Sequence, residues 1–239
     1  MRRTTILNSS AVKQTTFEEA QTSFLKHCKL RNLRPQTIRY YTEDLTYFHA
    51  NVPLRFVGQI TQEVFDNFIF QQLEQGKKVS SLNTRIRGLR VFFKFCAERE
   101  YMKPISPKLM KADKEIKEPY TEAELRKLLK RPETNRWTEW RAWAVIHYLI
   151  STGNRAGTVV SVRISDIDFG AMTIHLKTVK NRRQQIVPLS PALKDILRDY
   201  LKTWEWSEED YLFPSYEGTP LNVRSLHSAI VYLGVSSIL

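Results

Sequence analysis

The chain has 239 residues, 42% of them hydrophobic, which is enough for a substantial core in one or two domains and excludes wholesale disorder. Its 37 Lys and Arg outnumber 25 Asp and Glu, giving a formal net charge of +12. A balance that basic points to an anionic partner, most often nucleic acid. Only 8 glycines argue against a turn-rich all-β fold and for helices.

Residues 1–15 read as a flexible N-terminal segment. Arg2 and Arg3 precede Ile6 and Leu7, then Asn8, Ser9 and Ser10, so no apolar signal-peptide core is expected. Four helices are predicted over 16–103. Thr16 and Glu19 form a capping-box pattern, followed by Phe17, Ala20, Phe24 and Cys28 at helical spacing. Pro35 suits a first helical turn, with Ile38, Tyr41, Leu45 and Phe48 as the apolar stripe. Thr61 opens a third helix through Val64, Phe65, Phe68, Ile69 and Leu73, closed by Gly76. The fourth runs from Ser81 to Glu98, with Leu82, Ile86, Leu89, Phe93 and Cys96 on one face and Arg85, Arg87, Arg90 and Lys94 interleaved. A face this basic suits a phosphate backbone, although an ordinary solvated surface has the same composition.

Residues 104–118 are proline- and lysine-rich, weakly patterned, and read as an extended linker. Splitting the chain after Glu118 places a net +9 on the first part and +3 on the second. Residues 119–239 have mixed patterning. Thr121 and Glu124 form another capping box, and a longer helix is predicted from Glu139 to Ser151. The most apolar stretch, Trp143 to Ile150, is interrupted by His147 and is too short to span a bilayer, so a soluble, cytoplasmic protein without a membrane is expected. Met172 to Leu176 and Gln185 to Pro188 read as two short strands. Ser190 and Pro191 begin a helix, Asp210 to Pro214 is extended, and a last helix covers Val223 to Tyr232.

Several chemistries are absent from the sequence. There is no P-loop, dinucleotide fingerprint, zincin motif or nucleophile elbow. The five histidines show no metal-ligand spacing, and neither Cys28 nor Cys96 lies in a Cys-x-x-Cys pair. No metal and no cofactor are expected. What remains is Arg155, placed after the flexible Gly153 where a guanidinium can contact a phosphate bidentately or join a surface salt bridge. Lys180 stands in a loop with Arg182 and Arg183, ahead of Ile186 to Leu189.

In order along the chain stand Thr152-Gly-Asn-Arg155, Arg163 to Phe169, the Lys180 loop closing on Ile186 to Ser190, Leu212 to Ser215, and Gly218 to Leu221. This ordered set resembles the tyrosine recombinase or phage-type integrase family, most of all the Xer-like recombinases and the integrases of bacterial mobile elements. Pro35 to Tyr41 and Gly88 to Phe95 resemble helices of that family's SAM-like core-binding domain.

The resemblance implies a mostly α fold with a small β-sheet: a SAM-like DNA-binding domain followed by a mixed α/β (α+β) catalytic domain. It implies double-stranded DNA and other recombinase protomers, a tetramer in the full-length family, as partners. The implied reaction is strand cleavage and rejoining through a phosphotyrosine intermediate, without metal or nucleotide. Arg155 matches the family's first catalytic arginine and Lys180 its hairpin lysine, with Lys177 as runner-up. Arg39, Arg85, Arg87, Arg90, Lys94, Arg182 and Arg183 are the expected DNA contacts.

Two departures stand out. Thr158 occupies the place, three after the arginine, where the family often has an acidic residue. The family's H-x-x-R box and nucleophilic tyrosine are not found; His227 is followed by Ser228, Ala229 and Ile230. The catalytic domain is thus expected to be incomplete at its C-terminus and the chain to bind DNA without cleaving it. The alternative is a non-catalytic accessory or regulatory protein derived from an integrase.

Overall fold

The computed structural model describes residues 14–113, 118, 119, 121–177 and 184–232, with side chains described as far as 228. The chain divides into two compact units, 1–116 and 117–239. No helix among the described residues is long and apolar enough to cross a membrane.

The first unit is helical: α1 (Phe17–Leu30), α2 (Pro35–Asn51), α3 (Gln62–Glu74) and α4 (Val79–Glu98), with a short 3-10 turn at Val57–Gln59. Thr16 caps α1 with Glu19 reaching back, and Gly76 follows α3 at a φ of 73°, as the sequence leads one to expect. α4 begins two residues earlier than its apolar stripe suggests. The core is built from phenylalanines. Phe48 and Phe68 meet at 5.1 Å and 82°, and Phe65 and Phe93 at 5.8 Å and 85°, both edge-on. This arrangement sets the positive edge of one ring against the negative face of the next.

Helices α2 and α4 approach closely at Gly88. A Cβ there would lie 2.5 Å from Asp44 Oδ2 and 2.9 Å from the Tyr40 hydroxyl oxygen. The Tyr40 hydroxyl donates to the Thr84 carbonyl at 2.5 Å, and its pKa is pushed up to about 12, first by burial and then by the Asp44 charge. Gly88→Ala is therefore expected to lower unfolding free energy by about 1–3 kcal/mol, the cost of overpacking, despite alanine's better helix propensity. Urea denaturation tests this; an unchanged or raised midpoint would mean the helices are not in such contact.

The segment predicted as a linker is docked on this unit as far as Met110. Asn83 and Met110 exchange two hydrogen bonds of 2.8 Å, and the Ser106 amide donates to Gln62. These bonds satisfy backbone groups that a free tether would leave to water.

The second unit contains α5 (Glu122–Leu128), α6 (Trp137–Thr152), α7 (Ala156–Val159), β1 (Ile167–Asp168), β2 (Thr173–Leu176), β3 (Gln185–Pro188), α8 (Pro191–Leu201) and α9 (Val223–Tyr232). The strands form an antiparallel sheet in the order β1-β2-β3, with Ile174 opposite both Ile167 and Val187. α6 is the central helix. Arg141 to Ile146 are buried in succession, so it has no solvent stripe over that stretch and packs against both α8 and α9. The mostly α architecture with a small sheet is as expected. β1 was not foreseen, because two residues carry no periodicity.

The C-terminal end of α5 is covered by α6. Trp143 Nε1 donates to the Leu129 carbonyl at 3.1 Å, and His147 Nε2 lies 3.2 Å from the same oxygen. Burial depresses the His147 pKa below its ordinary 6.5, and the Leu129 carbonyl opposes this only in part. The folded state therefore binds fewer protons than the unfolded state just below pH 6.5. Unfolding free energy should fall as the pH drops through that window, and His147→Gln should flatten the profile there. Parallel profiles for the two proteins would contradict the assignment.

Candidate functional site

In the second unit, Arg155 is delivered by a sharp break in the chain. α6 ends at Gly153, whose φ of 62° is the left-handed conformation that favours glycine. Two residues later Arg155 is the N-cap of α7, its backbone extended at φ −70° and ψ 143°. Its carbonyl accepts from the amides of Thr158 and Val159, so the backbone under the side chain is held. Arg155 is exposed, and its side chain makes no hydrogen bond or ion pair among the described residues. The surface salt bridge open to it from sequence is not formed there. Thr158, standing where an acid was looked for, is buried in α7.

Behind this corner lies a buried polar group. Asp166 is 4% exposed; its Oδ2 accepts from the Arg163 amide at 2.9 Å, and its Oδ1 pairs with Lys177 Nζ at 2.6 Å. Lys177 is thus occupied at the end of β2, with its side chain 60% exposed. The Tyr148 hydroxyl is buried nearby. Its pKa is pushed upward by burial and also by Asp166, against the Asn154 side chain, so it stays a neutral phenol. Tyr200 is likewise buried, and burial drives its pKa up. Both hydroxyls are thus buried and held neutral. Lys180, Arg182 and Arg183 lie outside the described residues, so the structure places only Arg155 and the runner-up Lys177.

In the first unit the expected basic residues divide into two groups. Arg85 is turned toward α2: it pairs with the mostly buried Asp44 at 3.1 Å and lies over the Tyr47 ring at 3.6 Å. Burial pushes the Asp44 pKa up, and Arg85 works against that shift. Arg85 therefore serves as an internal counter-charge. Arg87, Arg90 and Lys94 fall on one exposed stripe of α4 at spacings of three and four. Arg90 Nε donates to the Pro107 carbonyl at 2.5 Å, while Lys94 makes a long, exposed 3.7 Å pair with Glu98. Arg39 on α2 is exposed and paired with Glu43 at 2.7 Å. Exposed pairs of this kind are worth little in water and yield readily to a phosphate.

Sequence reasoning missed Arg31, which caps the C-terminus of α1. It lines, with His27, Arg90 and Lys94, a cleft of about 480 Å³ whose apolar walls include Phe24 and Tyr41. The only sequence signal was its charge near Lys29, because Arg90 and Lys94, the cations that share the cleft, come from α4.

Known proteins show the same architecture. The sequence profile described as "Phage integrase family" matches residues 119–236, and "Phage integrase, N-terminal SAM-like domain" matches 22–100. The chain is 24% identical over 205 residues to tyrosine recombinase XerD of Halalkalibacterium halodurans, covering 80% of this chain and 68% of that one. It is 28% identical over 187 residues to tyrosine recombinase XerC of Thermodesulfovibrio yellowstonii, covering 75% and 60%. The chain thus spans roughly six- to seven-tenths of these relatives' lengths. Among solved structures, a lambda integrase tetramer bound to a Holliday junction matches with a TM-score of 0.72 at 18% identity, over 99% of this chain and 72% of that one. The Tn1549 transposon integrase in complex with transposon right end DNA matches with a TM-score of 0.74 at 13% identity, over 94% and 80%. With consecutive profiles of one family spanning both units, the chain belongs to the phage integrase, or tyrosine recombinase, family.

Proposed function

We propose that this chain binds duplex DNA as a site-specific recombinase of its family, and that the 239 residues alone do not cleave the strand. The observation that carries the reading is Arg155: an exposed guanidinium on a backbone set by a glycine break and a helix start, with no ion pair to a carboxylate among the described residues. Such a fork is free to make a bidentate contact with the non-bridging oxygens of a phosphate.

In the family reaction, a tyrosine phenolate attacks phosphorus. The bond to the 5′ oxygen breaks, a 3′-phosphotyrosine forms, and a lysine protonates the leaving oxygen. Arg155 stabilises the charge that builds on the phosphoryl oxygens, and Lys180 is the proton donor. The chain supplies no H-x-x-R sequence anywhere in its 239 residues, and no residue of it is assigned as the nucleophile. The DNA-facing residues are Arg87, Arg90 and Lys94, with Arg31 in the same cleft as Arg90 and Lys94, together with Arg39 on α2 and with Arg182 and Arg183 between β2 and β3 in sequence.

A nicked suicide substrate tests the cleavage half of the reading. The 239-residue chain should retard the DNA on a native gel and leave no band that survives denaturation. A denaturation-resistant protein–DNA adduct would overturn it and direct attention to Tyr216, which is exposed.

A further inference from the structure

The second unit also carries an aromatic hollow. Trp137, at the start of α6, touches three rings brought from elsewhere in the unit. Trp204 and Trp206, from the segment after α8, lie 5.8 Å and 6.4 Å from it between ring centroids, and Tyr216, from the turn after Pro214, lies 6.2 Å away. Among the described residues, no ring contact joins those three to one another. They stand around Trp137 as walls around a floor and, with Asp210 and Pro214, line a hollow of about 120 Å³. Rings that serve a core are buried, but Trp204 is 58% and Tyr216 83% exposed.

Charge distinguishes this surface from the rest of the protein. In a chain of net charge +12, residues 203–218 hold Glu205, Glu208, Glu209, Asp210 and Glu217 and no Lys or Arg. The hollow is also braced from outside. Arg141 is buried, its guanidinium packs over the Trp137 ring at 4.6 Å, and its Nη1 donates to the Pro214 carbonyl at 2.5 Å. Arg141 does not line the hollow. It fixes the turn that carries Tyr216 relative to the floor.

We propose that this hollow is a docking site for a cationic side chain, arginine or lysine, of a polypeptide partner. The negative faces of indole and phenol rings attract a guanidinium or ammonium group, and Asp210, which lines the hollow, adds to that attraction. A segment this acidic repels phosphate, which favours a cationic occupant over a nucleic acid. Rings this exposed extend beyond the hollow and offer area to the residues flanking the inserted side chain, which a free small cation would leave unused. Aromatic residues with a charged anchor are the usual centre of such protein contacts.

Indole N–H resonances of the intact 239-residue chain provide the test. The chain has five tryptophans, assignable by single Trp→Phe substitutions. Acetyl-Gly-Arg-Gly-amide should shift the Trp137, Trp204 and Trp206 signals saturably and leave Trp143, whose Nε1 is bonded to Leu129, in place. The norleucine counterpart should bind at least about tenfold more weakly, because it lacks the charge. Trp204→Ala combined with Tyr216→Ala, both exposed positions, should abolish the shifts without unfolding the chain. Equal binding of the norleucine peptide would make the hollow a plain apolar groove and overturn the proposal. So would the absence of saturable shifts, or saturation by tetramethylammonium with none by the arginine peptide.

Discussion

Arg155→Ala should reduce strand cleavage by about 100-fold or more, the loss typical of removing one preorganised donor from a developing anion. The measurement uses a protein that carries an H-x-x-R segment and a nucleophilic tyrosine, such as a fusion that adds both after residue 239. The size of the effect follows from the geometry. The backbone of Arg155 is held by hydrogen bonds from the Thr158 and Val159 amides to its carbonyl, and its exposed guanidinium has no partner among the described residues to give up when charge develops. Arg155→Lys should recover only part of the activity, because an ammonium cannot reproduce the planar two-pronged contact. Lys180→Ala should behave differently. A substrate with sulfur at the bridging 5′ position leaves without a proton, so it should rescue the lysine variant and not the arginine variant. Equal rescue of both would remove the distinction between the two roles.

Asp166→Ala should lower the stability of the second unit by about 2 kcal/mol, the usual cost of stranding a buried hydrogen-bonding group. Asp166 is 4% exposed and holds the Arg163 amide, which opens the 3-10 turn at Ile164–Asp166 leading into β1. Its second oxygen ties Lys177, just after β2 at the loop end of the β2–β3 hairpin, to the same point. The Lys177 side chain is largely in solvent and regains water when the pair is broken, so most of the loss belongs to the amide. Asp166→Asn keeps an acceptor for that amide and should cost less than about 1 kcal/mol. Chemical denaturation of the two variants separates them. If alanine and asparagine were equally costly, the ion pair rather than the cap would dominate.

Much of this fold was legible because it rests on local rules. The capping boxes at Thr16 and Thr121, the left-handed Gly76 and the apolar stripes of α1 to α3 each depend on residues within one or two turns. The recombinase family itself was legible because its motifs recur in a fixed order. What could not be read depends on partners distant in sequence. Arg85 looked like its neighbours on α4, yet Asp44 and Tyr47 from α2 claim it. Gly88 sits in a helix interior where glycine is a poor choice, and only the approach of Tyr40 and Asp44 explains it. The aromatic hollow joins residues up to 79 positions apart, from Trp137 to Tyr216, so no local pattern announces it.

DNA binding as a function of salt tests the central claim most directly. The 239-residue chain should bind a nonspecific duplex with an affinity that falls linearly on a logarithmic plot against salt concentration. The slope reflects about 0.9 counterions released per phosphate contacted. The triple variant Arg87→Ala, Arg90→Ala, Lys94→Ala should bind more weakly, with a slope shallower by about 2–3, since three phosphate contacts are removed. An affinity that does not change between low and moderate salt, or a triple variant indistinguishable from the parent chain, would contradict the assignment of this face to DNA.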